Sequence, residues 1–148
     1  MIVKVKKTDP NAETPFKTHD SDFCYDVVAT SCEEIAPNVF KYGIGLAFQI
    51  EREGVEELLN IHYSIDLRPR SSVWKTGLVL SNCTGTIDEE YRGEVSAVFY
   101  KVAPGEIYKV GDRIGQIKLG TTIPMEFIEV KELSDTPRGA GAYGSTGR

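Results

Sequence analysis

A chain of 148 residues, 41% of them hydrophobic, has the length of one domain and enough apolar side chains for a real core. Its formal net charge is -5 and it holds no basic block, which argues against non-specific binding along a nucleic-acid backbone. No apolar run is long enough to cross a bilayer as a helix, so no membrane partner is expected.

The opening MIVKVKKTDP alternates apolar and basic residues and lacks a signal-peptide core. It reads as a first strand, and a cytoplasmic location is the expectation. Further strand signals follow at YDVVAT, GIGLAFQI, HYSIDL, TGLVLSN, GEVSAVFYKV, RIGQIKL and MEFIEV. Turn residues such as Pro37, Asn38, Gly77, Pro104, Gly105 and Gly111 punctuate them. The one helix candidate is EREGVEELLN, residues 51–60; it is short and contains Gly54, so a turn or two on the surface is expected. Composition changes sharply only near Ser134, where the glycine-rich run TPRGAGAYGSTGR begins two residues later. The expectation is an all-β domain over residues 1–133, a sandwich, barrel or jelly roll, followed by a flexible C-terminal tail at 134–148. Cys24, Cys32 and Cys83 are odd in number and show no CxxC spacing, which fits free thiols in a reducing compartment.

Several stretches offer chemistry. In "RPRSSVWKTG", Arg70, Ser71 and Ser72 follow a proline that holds the chain extended. They supply charged and neutral donors for phosphate oxygens, or else mark only a strand-to-turn transition. In "SNCTGTIDEEYRGEV", Asn82, Thr84 and Gly85 mark one turn and Tyr91, Arg92 and Gly93 another. Between them Asp88 follows Ile87; it reads as a turn cap or as a carboxylate that takes a proton from water. The hairpin backbone could read the edge of a planar base, with Gly85 permitting close approach. Tyr91 packs or lies flat against a sugar. Gln116, in "GDRIGQIKL", faces outward or donates to a phosphate. Asp26, in the largely apolar "FCYDVVAT", demands a partner if buried: a metal ion, its water or an arginine. With His19 and His62 the only histidines and no paired cysteines, magnesium is the more plausible metal, since it keeps most of its waters and binds through substrate phosphates.

Together these segments resemble the five motifs of the homotrimeric dUTPase family, in order: "YDVVA" with Asp26, "PRSS", "GTIDEEYRGE" preceded by Asn82, "DRIGQI" with Gln116, and "RGAGAYGSTG" from Arg138. The match spans nearly the whole chain, and the third and fifth motifs are the most specific. The resemblance implies a jelly-roll-like β-barrel subunit, a homotrimer with shared active sites, and hydrolysis of dUTP to dUMP and pyrophosphate with Mg2+. That reaction limits uracil incorporation into DNA and supplies dUMP for dTMP synthesis.

Carried onto this chain, the resemblance makes Asp88 the catalytic base and Asp26 a magnesium holder acting through water. Arg70, Ser71, Ser72 and Gln116 would grip phosphates. Asn82, Gly85 and Ile87 would bind the base, and Tyr91 would stack on the deoxyribose and exclude a 2′-hydroxyl. Arg138, Tyr143, Gly144, Ser145 and Thr146 would close over the nucleotide, Arg138 on the γ-phosphate and Tyr143 over the uracil. The sequence departs from the family pattern at Cys24, Val27, Gly115, Ala142 and Tyr143, none of which removes a catalytic group. "TIDEEYRGE" separates it from the dCTP deaminases of the same superfamily, and the full catalytic set argues against an inactive nucleotide-binding scaffold. The stretch 51–63 looks longer than the family's usual connection; it is a surface insertion or a contact site for a regulatory protein, a partner that no motif supports.

Overall fold

The computed structural model describes residues 1–52 and 54–141. Ten strands run in the order β1 (Ile2–Lys7), β2 (Tyr25–Val28), β3 (Ser31–Ala36), β4 (Val39–Gly43), β5 (Leu46–Glu51), β6 (His62–Arg68), β7 (Leu78–Leu80), β8 (Gly85–Asp88), β9 (Ser96–Lys101) and β10 (Arg113–Thr122). One helical turn, α1 (Val55–Leu58), precedes β6, and a 3-10 segment, Ser71–Thr76, precedes β7. The strands form two four-stranded sheets, β2-β10-β6-β8 and β3-β4-β9-β7, and a two-stranded ribbon of β1 and β5. All pairings are antiparallel, and the fold is all-β and jelly-roll-like.

Alternation drives this arrangement. In β6, Tyr63, Ile65 and Leu67 are buried while Ser64, Asp66 and Arg68 face away. The buried set meets Ile114 and Ile117 of β10 and, from the facing sheet, Tyr42, Ala97, Phe99, Leu78 and Leu80. Phe99 and Tyr42 are wholly buried and contact edge-to-face, with ring centroids 5.7 Å apart. A ring so enclosed is worth about 3–5 kcal/mol against alanine. The buried Tyr42 hydroxyl donates to the Tyr108 carbonyl at 3.0 Å, and burial pushes its pKa well above that of a free phenol. The 3-10 segment stops at Gly77, whose φ is 69°. A Cβ there would fall 2.1 Å from the Ala103 carbonyl oxygen, so that turn requires glycine.

Three segments depart from expectation. SCEEIA and VFKYG form β3 and β4, which the strand signals passed over. The expected strand MEFIEV does not form: residues 123–133 follow β10 without regular structure, and Ile123, Met125, Phe127 and Ile128 are more than 70% exposed. The helix candidate shortens to the four residues of α1.

Candidate active site

The third motif folds as β8 and the loop after it. β8 is the outer strand of its sheet and pairs only with β6, from Leu67↔Gly85 to Ser64↔Asp88. Alternate residues of such an edge present N–H and C=O groups that no ladder satisfies. Asn82, Gly85, Thr86, Ile87, Asp88 and Tyr91 line a cleft of about 270 Å³ beside it, just below the usual range for ligand pockets of about 300–1,000 Å³. A Cβ on Gly85 would meet Asn82 Nδ2 at 3.5 Å and Leu67 Cβ at 3.7 Å. Those are ordinary contacts, so packing does not require glycine there, and its lack of a side chain opens the cleft instead. Asp88 ends the strand, exposed, and its carbonyl accepts from the Tyr91 N–H at 3.0 Å. Tyr91 turns back over the loop and its hydroxyl donates to the Glu94 carbonyl at 3.0 Å. Glu94 is fixed in turn, since its carboxylate accepts from the Gly45 N–H at 2.9 Å.

A second cleft, of about 340 Å³, gathers the first, second and fourth motifs: Asp26, Arg70, Ser71 and Gln116, with Lys17, Thr18 and Asp22. Asp26 and Gln116 are register partners on β2 and β10. The Asp26 side chain is only 13% exposed and both its oxygens are engaged, by Arg70 Nε at 3.0 Å and Arg113 Nη1 at 2.9 Å. Its partners are therefore arginines, one of the three alternatives the sequence leaves open. Gln116 donates to the Pro69 carbonyl at 3.3 Å, tying the fourth motif to the second. Ser71 begins the 3-10 segment and is exposed, while Ser72 is half-buried. Among its lining residues Lys17 and Arg70 balance Asp22 and Asp26 in formal charge, so any anion there would be met by individual donors rather than by a net positive field.

The two clefts share no residue. Asp26 and Asp88 stand on opposite edges of one sheet, with β10 and β6 between them. Along the ladder they are separated by the run from Arg68 to Ser64. At about 4.8 Å between strands and about 3.3 Å per residue, the Cα atoms of Asp26 and Asp88 lie roughly 20 Å apart. One chain therefore does not bring its own Arg70, Ser71 and Gln116 to its own Asp88.

Arg138 sits in an exposed turn in which its Nε donates to the Gly141 carbonyl at 3.1 Å; it lines neither cleft. Tyr143, Gly144, Ser145 and Thr146 lie outside the described residues. Among the described residues no three His, Cys, Asp or Glu side chains are grouped to hold a metal. Both Asp26 oxygens are engaged by arginine, and the Asp22 carboxylate accepts from the His19 N–H at 2.9 Å. That donor set is no octahedral magnesium cage. It fits only an ion that arrives on a ligand's phosphates and keeps its waters. Arg113 and Glu94 were absent from the sequence-based site.

The dUTPase family model matches residues 55–147. The deoxyuridine 5'-triphosphate nucleotidohydrolase of Nautilia profundicola is 36% identical over the whole of both chains. That of Helicobacter pylori is 33% identical over 99% of this chain and 97% of its own. Among solved structures, the dUTPase of Staphylococcus bacteriophage 80alpha with dUPNHPP superposes with a TM-score of 0.79 at 23% identity, covering 99% of each chain, a likeness of fold. A match over most of the chain to the family model, joined to relatives above 30% identity along its full length, establishes that this chain belongs to the dUTPase family.

Proposed function

We propose that this protein hydrolyses dUTP to dUMP and pyrophosphate, with Asp88 taking the proton of the water that attacks the α-phosphorus. The observation that carries the reading is the exposed Asp88 carboxylate at the end of an edge strand, beside the slot lined by Asn82, Gly85 and Ile87. Unpaired backbone groups of that edge, with the Asn82 amide, match the carbonyls and N3–H of uracil. Cytosine keeps the O2 carbonyl but presents an unprotonated N3 and a 4-amino group, and a site built on hydrogen bonds rejects such an analogue by about 10⁴ or more. Tyr91 bounds the sugar side and leaves no place for a 2′-hydroxyl. Arg70, Ser71, Ser72 and Gln116 supply the phosphate donors, Ser71 toward the oxygen that gains charge as pyrophosphate leaves. The tail, from Arg138 through Tyr143, Gly144, Ser145 and Thr146, completes the enclosure. A magnesium ion carried on the triphosphate supplies charge neutralisation. Asp26, the residue that would hold such an ion through water, keeps Arg70 and Arg113 in place.

The roughly 20 Å between the two clefts supports a homotrimer with shared sites, since a nucleotide with its α-phosphate at Asp88 needs another copy's Arg70 and Ser71. Among the described residues β1 pairs only with β5, and the apolar arm at 123–133 is exposed, both suited to exchange between copies. No described helix is long and apolar enough to cross a membrane. The three free cysteines support a cytoplasmic location.

The test is direct. Purified protein releases pyrophosphate from dUTP but not from dCTP, dTTP or UTP at comparable rates, and the release needs a divalent cation. Asp88→Asn keeps nucleotide affinity and loses most of kcat, on the order of 10²–10⁴-fold. Wild-type turnover in that variant would end the assignment of Asp88 as base.

A further inference from the structure

The chain leaves β5 at Arg52 and re-enters the sheet at His62, and one guanidinium closes the base of that excursion: Arg52 Nη1 donates to the Ile61 carbonyl at 3.2 Å. The same side chain grips the active-site hairpin, with Arg52 Nε 2.7 Å from Glu89 Oε1. The other Glu89 oxygen meets His62 Nδ1 at 3.2 Å and accepts from the Tyr63 N–H at 3.3 Å. The Glu89 carbonyl accepts from Arg92 Nη1 at 2.6 Å. The Glu89 side chain is only 12% exposed and that of Arg52 29%, so this is not a loose surface pair. Glu89 directly follows Asp88, and the β6–β8 ladder ends at Ser64↔Asp88. The next rung would set Tyr63 against residue 89, and there the Glu89 carboxylate takes the Tyr63 N–H.

We infer that Arg52 and Glu89 are positioning residues for Asp88: the carboxylate of Glu89, held by Arg52, pins the last rung of an edge strand that would otherwise fray. The inference rests on the catalytic role proposed for Asp88. Terminal rungs open most easily, and Asp88 occupies one. A displacement of about 1 Å at a reacting group can cost up to about 10²-fold in rate. Arg52 is absent from the cleft that holds Asn82 and Gly85, although it lines a neighbouring one with Asp88, Glu89 and Tyr91, so the mark of an effect on the placement of Asp88 is a loss of kcat at constant KM. The excursion between β5 and β6 thereby becomes a structural neighbour of the catalytic group.

The experiment compares the full-length wild type with Arg52→Ala, Arg52→Lys, Glu89→Gln, the double variant Arg52→Ala/Glu89→Gln, and Asp88→Asn. It measures kcat, KM for dUTP, oligomeric state and Tm. Arg52→Ala is expected to lower kcat roughly tenfold while KM moves less than about threefold and the assembly persists. Arg52→Lys recovers part of kcat, since an ammonium keeps the charge on Glu89 but cannot fork to the Ile61 carbonyl as well. The double variant is no worse than the poorer single one, because both remove one pin. Unchanged kcat in folded Arg52→Ala, a loss confined to KM, or additive losses in the double variant would overturn the inference. If Arg52→Ala does not assemble, Glu89→Gln and Arg52→Lys carry the test, and each must lower kcat at constant KM. Wild-type turnover in Asp88→Asn would instead bring down the reading of Asp88, which separates the two failures.

Discussion

Gly93 has no room for a side chain because the Tyr91 ring occupies that place: a Cβ there would lie 2.4 Å from Tyr91 Oη and 2.6 Å from Cζ. The obstacle is the end of a movable side chain, so Gly93→Ala displaces the ring rather than the backbone. If Tyr91 guards the sugar, Gly93→Ala and Tyr91→Ala both narrow the ratio of kcat/KM for dUTP over UTP, by roughly tenfold for a lost packing contact. Both keep the wild-type Tm within a few degrees. A ratio unmoved in both variants would reduce the ring to packing. At this scale the sequence was informative where a residue's chemistry is unusual for its setting. Asp26 in an apolar strand demanded a partner, and Asp88 stood out between two turns. Arg113 escaped notice because its partnership with Asp26 crosses from β10 to β2, a neighbourhood that only the register creates.

Among the elements, strands with one buried face were legible from their alternation, β6 most clearly. β3 was not, because all six of its residues are exposed and its Glu33 and Glu34 belong to a charged sheet edge. MEFIEV shows the converse: alternation favours a strand, but pairing needs a neighbour, and among the described residues no strand pairs with residues 125–130. On the outward face of β6 and β10, Asp66 accepts from Ser64 at 2.9 Å and meets Lys118 Nζ at 3.0 Å. Burial opposes its ionisation, but the Lys118 and Ser64 hydrogen bonds outweigh burial and hold its carboxyl below the ordinary value of 3.8. The folded state thus favours the carboxylate, a contribution present at neutral pH and lost as pH falls below that value. Asp66→Asn should lower Tm by a few degrees at pH 7, and the gap between variant and wild type should close as pH is lowered through 3.8 in thermal melts.

For the whole molecule, the decisive dimension is the roughly 20 Å that separates the Asp88 slot from the Arg70–Ser71–Gln116 cleft within one chain. No local pattern in the sequence carries that distance, since it follows from the order β2-β10-β6-β8. It makes a quantitative prediction about mixtures. Asp88→Asn and Arg70→Ala should each be nearly inactive alone. Co-expressed in equal amounts, they should form mixed trimers in which one site per trimer draws Asp88 from one chain and Arg70 from another, restoring about a quarter of wild-type activity on random assembly. No recovery in verified mixed assemblies would mean that each chain completes its own site.

The same separation governs how damage spreads through such an assembly. If sites are shared between copies as proposed, a subunit faulty in only one of its two clefts silences a single reaction centre, whereas a subunit faulty in both poisons the centres on either side of it. A lesion of the second kind would therefore behave dominantly when a sound gene copy is present, out of proportion to its dosage.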